Sequence, residues 1–219
     1  MEADSRKIPT HEVTWTKLRD MILFGALAPG QPVTIQGLTA ELGAGMTPVR
    51  EAIRRLTAEG ALMPQGNRRV AVPQMTQSVL DQLAWARQAI EPHLAELALP
   101  RLTPELIARL REIDGEVNAA IAAGSIPGYL RANHSFHFTL YEAAEAPVLL
   151  DFAHSLWLRA GPSLRVVMGR YSSSGLPDLH DEALAAMERG DAAGLSAAIS
   201  RDLQQGIDHV RLALAEGAF

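Results

Sequence analysis

Arginine carries a planar fork of donors that can grip a guanine edge or a phosphate through two parallel hydrogen bonds, which lysine cannot match. The stretch MTPVREAIRRLTAEGAL, Met46 to Leu62, sets Arg50, Arg54 and Arg55 within six residues, directly after Thr47-Pro48, in a chain of formal net charge −5. Wound as a helix at about 100° per residue, Val49, Ala52, Ile53 and Leu56 fall within one third of the circumference. Thr47, Arg50 and Arg54 gather on a different side, within about 60° of one another. Such a helix anchors itself by its apolar stripe and turns an arginine edge outward, as a helix in a DNA major groove must. Arg55 and Glu51 lie further round, toward phosphate or solvent. A lone arginine on a helix is most often a solvated charge, so the reading depends on what flanks it.

The flanking pattern supplies the scaffold. Val13, Leu18, Met21, Ile22 and Phe24 predict a first helix over Glu12 to Phe24, ended by GALAPGQP. Thr34 can cap a short second helix carrying Leu38 and Leu42. Gly43 to Gly45 form the tight turn, and the third helix runs from Pro48 to Gly60. The period then changes: Gly66-Asn67 reads as a turn, and Val70 and Val72 alternate as a short strand does. Helix, helix, turn, helix and hairpin make a winged helix-turn-helix. Arg68 and Arg69 at the hairpin tip then reach the adjacent backbone or minor groove. Together with Thr47, Arg50 and Arg54 they are the expected DNA-binding residues.

Beyond Pro73 the texture is helical throughout. Helices are predicted at roughly 76–99, 104–123, 127–145, 147–168, 177–189 and 191–215, with Pro92 kinking or breaking the first of them. The fold class is mainly α. A winged helix-turn-helix over 1–73 precedes an antiparallel all-α helical bundle over 74–219. The 219 residues suffice for two such units. Residues 1–72 hold nine Lys/Arg against seven Asp/Glu, a net of +2, and residues 73–219 hold eleven against eighteen, a net of −7. Contact with nucleic acid therefore belongs to the first third. The absence of cysteine excludes disulfides and thiolate metal sites. No apolar run approaches a membrane span, and MEADSRKIPTHEV lacks an apolar signal region, so a cytoplasmic protein is expected.

LRDMILFGALAPGQPV, followed by LTAELGAGMTPVREAIRRLTAEGAL, resembles the N-terminal domain of GntR-family transcriptional regulators over roughly Leu18 to Val72. That resemblance implies a recognition helix in which Arg50 contacts operator DNA. The family's Ser-Arg before Thr-Pro is Gly45-Met46 here, so Thr47 is expected to cap the helix, with Pro48 at its first position. LAWARQAIEPHLAELA, NHSFHFTLYEAAEAPVLLDF and HDEALAAMERGDAAGLSAAISRDL resemble the FCD ligand-binding domain of the FadR-like branch. The FCD resemblance implies a divalent metal held through Asn133, His137, His180 and Asp202. Where the family has a first Asp and a last His, this chain has Asn133 and Asp202. Two imidazoles and one carboxylate remain, a set that suits Zn²⁺, Ni²⁺, Mn²⁺ or Fe²⁺. It further implies a small carboxylate or sugar-acid effector, for which Arg87 is the candidate partner. Arg87 is equally placed to pair with Glu91 at i,i+4. His134, adjacent to the ligand set, points elsewhere on the helix.

The expectation is thus a homodimeric regulator that binds double-stranded operator DNA and senses an acidic metabolite, with no enzyme activity. A metal-dependent enzyme on the helical unit, or a metal-free sensor, are the competing readings. The operator, the effector and the direction of regulation are not legible in the residues.

Overall fold

Thr34 starts the helix-turn-helix, its hydroxyl accepting from the Gly37 backbone N–H at 2.9 Å. The computed structural model describes residues 10–66, 69–168 and 179–218. Its first third runs α1 (Thr10–Leu23), β1 (Pro32–Thr34), α2 (Ile35–Leu42), α3 (Met46–Ala58), β2 (Met63–Gln65) and β3 (Arg69–Ala71). Leu18 and Ile22 of α1 and Val49 and Leu56 of α3 are all fully buried, and the two helices pack together. The strands form one antiparallel sheet in the order β1-β3-β2, with Val70 opposite both Val33 and Pro64. Pro32 and Pro64 sit on its edge strands, where a missing N–H breaks no ladder. The hairpin was expected; the third strand, β1, was not, because three residues between two turns carry too little alternation to read.

The start of α3 corrects the sequence reading. Gly45, extended at φ −69° and ψ 161°, is the N-cap, and no side chain caps the helix. Thr47 is therefore its second residue rather than its cap, and Pro48 its third. This placement costs little, because the first-turn N–H groups of a helix have no internal partner for proline to lose.

The rest is helical: α4 (Gln77–Ala98), a 3₁₀ turn at Leu99–Arg101, α5 (Pro104–Ala122), α6 (Ile126–Glu142), α7 (Pro147–Met168), α8 (Leu179–Arg189) and α9 (Ala192–Ala215). Side chains of Thr76, Thr103, Ser125 and Asp191 cap α4, α5, α6 and α9. Helix α4 is the central element, packed on α9, α7 and α6, while α8 joins α5 to α9. Pro92 lies inside α4, which continues unbroken to Ala98. Leu94, Ala95 and Ala98 just beyond Pro92 are fully buried. Burying that turn outweighs the roughly 3 kcal/mol that an interior proline costs. One apolar core runs without interruption from Leu18 and Leu56 to Leu140 and Ile199. Among the described residues, no helix is long and apolar enough to cross a membrane.

Candidate DNA-binding face and metal centre

On α3 the four stripe residues Val49, Ala52, Ile53 and Leu56 are buried, and Thr47, Arg50 and Arg54 are exposed. The three arginines differ in what holds them. Arg50 makes no hydrogen bond or ion pair among the described residues. Arg54 donates from Nε and Nη2 to the Glu51 carboxylate at 3.0 and 2.6 Å. Both partners are exposed, so the pair is weak and open to exchange for a phosphate. Arg55 is tied back to α1. Its guanidinium lies 3.9 Å from the Trp15 ring centroid and 3.2 Å from the Glu12 carboxylate. Arg69 is exposed on β3. Arg68 lies outside the described residues. Met46, at the first position of α3, is exposed.

In the bundle, His137 of α6, His180 of α8 and Asp202 of α9 converge, their candidate ligand atoms all within 4.8 Å of one another. His137 Nε2 is 3.1 Å from one Asp202 oxygen, and His180 Nε2 is 4.0 Å from the other. Both imidazoles are buried. Each is oriented through its other nitrogen, as metal-ligating histidines usually are. His180 Nδ1 meets the Asp114 carboxylate at 3.0 Å, and the Phe136 ring stacks on His180 at 4.0 Å. His137 Nδ1 meets the Tyr141 hydroxyl at 3.0 Å. Tyr141 donates onward to Glu91 at 2.9 Å, and Glu91 also accepts from Trp157 Nε1 at 2.8 Å and from Arg87 Nε at 2.5 Å.

This chain fixes a tautomer. Because Tyr141 gives its proton to the Glu91 carboxylate, its oxygen can only accept, so His137 carries hydrogen on Nδ1. The buried Nε2 then faces the Asp202 carboxylate at 3.1 Å and, among the described residues, no other polar group satisfies it. A bare nitrogen lone pair against a carboxylate is repulsive unless a proton or a cation lies between them. Burial by itself pushes the Asp202 carboxyl up, but His137, His180 and Arg87 outweigh that and hold it below the usual carboxylate value. Those residues therefore fit a divalent cation by both chemistry and charge.

A cavity of about 70 Å³ opens beside Asp202, lined by Arg87, Tyr129, Asn133, Trp157 and His209 among others. That space holds a handful of water-sized atoms. Asn133 is buried there, one turn before His137. For Arg87 both sequence readings have a basis: it is ion-paired with Glu91 and it lines the cavity. The pair engages Nε and Nη2 and leaves Nη1 outside it. His134 stacks on Phe138 at 4.3 Å and meets Phe24 and Trp157 edge-on. Burial, then the nearby Arg19, His154 and His137, push its imidazole down to about 3. Arg131 lies over the Phe24 ring, and Arg159 and Arg165 face the first third of the chain rather than the cavity.

Sequence reasoning gave no role to Trp157, Tyr141, Asp114 or His209, while Glu91 entered it only as the ion-pair partner of Arg87. The i,i+4 spacing of His137 and Tyr141 on one helix was the available signal for the second of these.

The family model described as "FCD domain" matches residues 82–205, and that described as "Bacterial regulatory proteins, gntR family" matches residues 11–72. The HTH-type transcriptional regulator McbR of Escherichia coli (strain K12) is 29% identical over 194 residues, 87% of each chain. The Nta operon transcriptional regulator of Aminobacter aminovorans is 29% identical over 192 residues, 86% of this chain and 90% of that one. A solved structure, "E. coli McbR/YncC", superposes with a TM-score of 0.89 at 26% identity, covering 95% of this chain and 100% of that one.

Proposed function

Because this chain belongs to the gntR family of bacterial regulatory proteins and carries an FCD domain, it is a DNA-binding transcriptional regulator, and we propose that a small acidic metabolite held beside a divalent metal controls it. Residues 1–73 form the DNA-binding domain and 74–219 the effector domain in this reading. Thr47, Arg50, Arg54, Arg68 and Arg69 face double-stranded operator DNA. His137, His180 and Asp202 hold the metal, with the Asn133 amide oxygen as a fourth donor. The metal, when bound, supplies a positive centre that a metabolite carboxylate can ligate, and Arg87 Nη1 offers that carboxylate a second partner.

The observation that carries the metal is the buried His137 Nε2, held 3.1 Å from the Asp202 carboxylate and within 4.8 Å of the His180 ligand atom, while its other nitrogen is engaged by Tyr141. Asp202 then supplies the charge that the family takes from the position of Asn133. Metal content per protomer after identical dialysis tests this. His137→Ala, His180→Ala and Asp202→Ala should each lose the metal, and Asn133→Ala should lose less. Equal metal in the unsubstituted protein and Asp202→Ala would sink the relocated carboxylate. No metal in any protein, even after reloading with excess Zn²⁺, would leave the histidines structural.

A cytoplasmic homodimer completes the proposal. Val148, Phe152 and Leu156 repeat at i,i+4 along α7, and Leu156 shares a groove with Trp85 of α4, which is 76% exposed. An exposed apolar patch suits a second copy. Trp85→Glu should give monomers by light scattering.

A further inference from the structure

Helix α7 walls the cavity with Trp157, Leu164, Val167 and Met168. Over the same stretch it holds the C-terminal ends of both α1 and α3. The Arg159 guanidinium donates from Nε and Nη2, at 3.2 and 2.9 Å, to one acceptor, the main-chain carbonyl of Glu59. Glu59 is the C-cap residue of α3. Its carbonyl belongs to the last turn, where helix carbonyls lack internal partners and the helix dipole is negative. A cation supplying two hydrogen bonds answers both needs. Gly60 follows at φ +73°, and a Cβ there would lie 2.5 Å from Arg159 Nη2. Two residues along α7, Gly161 receives α1: a Cβ on Gly161 would lie 2.1 Å from the Leu23 carbonyl oxygen. The Arg165 stem covers Gly25 just beyond.

The DNA-facing residues begin at the opposite end of α3. From Arg50 to Glu59 the helix advances about 13 Å. Arg159 therefore grips the helix beyond the last residue of the DNA-facing edge, Arg54, which lies five residues before Glu59. We propose that Arg159 is a positioning residue for DNA binding: it fixes α3 to α7, so that the attitude of α3 toward DNA follows the helix that lines the cavity. The role requires neither metal nor effector to be bound. Arg159 acts through the Glu59 carbonyl and touches no nucleotide.

The test uses the full chain, and the absence of native cysteine makes it clean. Spin labels on Gln36→Cys in α2 and Ala122→Cys in α5 report how the first third sits on the bundle. The DNA probe is a duplex selected from a randomised pool by the unsubstituted protein, titrated across a range of salt. Arg159→Ala should broaden the label-to-label distance distribution and weaken binding about tenfold, a typical coupling between sites. The slope of affinity against salt should not change, since that slope counts phosphate contacts and a positioning residue makes none. Arg159→Lys, which can still reach the carbonyl with one ammonium donor, should fall between. Circular dichroism melting of each variant checks that the fold is retained. An unchanged distribution, an unchanged affinity, or a salt slope lower by about one phosphate would each overturn the proposal.

Discussion

The outer edge of α3 and the centre around His137 handle charge in opposite ways. On α3, Arg50 is exposed and pairs with none of the described residues, and Arg54 shares an exposed, exchangeable bridge with Glu51. In the bundle, Arg87, Glu91 and His137 are all but sealed from water, and their polar hydrogens run in a chain of named donors and acceptors. An exposed charge contributes almost nothing to folding and keeps its full value for a partner. Burying a charge is tolerable only when it is paired, so each member of the chain stabilises the others. Substitutions on α3 should therefore separate function from stability, and substitutions in the centre should not.

The largest effect expected from that contrast is at Glu91. Glu91→Ala strands the Arg87 guanidinium in the core and frees the Tyr141 and Trp157 donors, and should cost about 3–5 kcal/mol of unfolding free energy. Denaturant titration reads it directly. A loss below about 1 kcal/mol would mean that the chain is not coupled. Next in size, Arg50→Ala should weaken specific operator binding by about 1–3 kcal/mol at fixed salt and leave the denaturation midpoint where it was. Unchanged affinity would remove Arg50 from the DNA face.

His134 lies between the two regions and sharpens the comparison through pH. Its imidazole has an ordinary value of 6.5 and is pushed down to about 3 in the fold. As pH falls below 6.5 the unfolded chain binds a proton that the folded chain refuses. Stability is thus lost on acidification, by up to about 1.4 kcal/mol per pH unit from this residue. Denaturation at pH 7 and pH 5 should show that loss, and His134→Phe should reduce the difference. An identical pH difference in both proteins would show that His134 does not set it. Smallest of all, Met46→Arg adds a cation at the exposed start of α3. It should tighten DNA binding at low salt and steepen the salt dependence by about one phosphate equivalent. A flat response would place position 46 away from the duplex.

The same contrast explains what the residues alone disclosed. Helix α3 was legible because its information is periodic and local: four apolar residues and three polar ones sort onto two sides within a single stretch. The helices of the bundle were legible for the same reason, with Thr103-Pro104, Gly124 and Gly190 marking their ends. The cap of α3 was misread because a hydroxyl next to a proline is the stronger local signal, while an uncapped glycine start is decided by the turn before it. The buried chain was out of reach. Glu91, Tyr141 and Trp157 lie on three helices, 50 and 66 residues apart from Glu91, and no spacing announces that they meet. Only resemblance brought His137, His180 and Asp202 together in advance. It pointed to those three residues and to none of the groups that orient them.

Gly161 has a consequence for engineering. Regulators built from a reading head and a sensing body invite recombination, with a foreign head spliced onto this bundle to rewire its response. The joint here is not a passive tether: the backbone of the last residue of α1 lies where any side chain at 161 would stand. A transplanted head must bring a first helix of matching length and exit angle, ending on that glycine. Chimeras joined only by sequence alignment near Pro73 should express as two folded halves that do not respond to each other. Those that carry over α1 together with its seat on α7 should remain responsive.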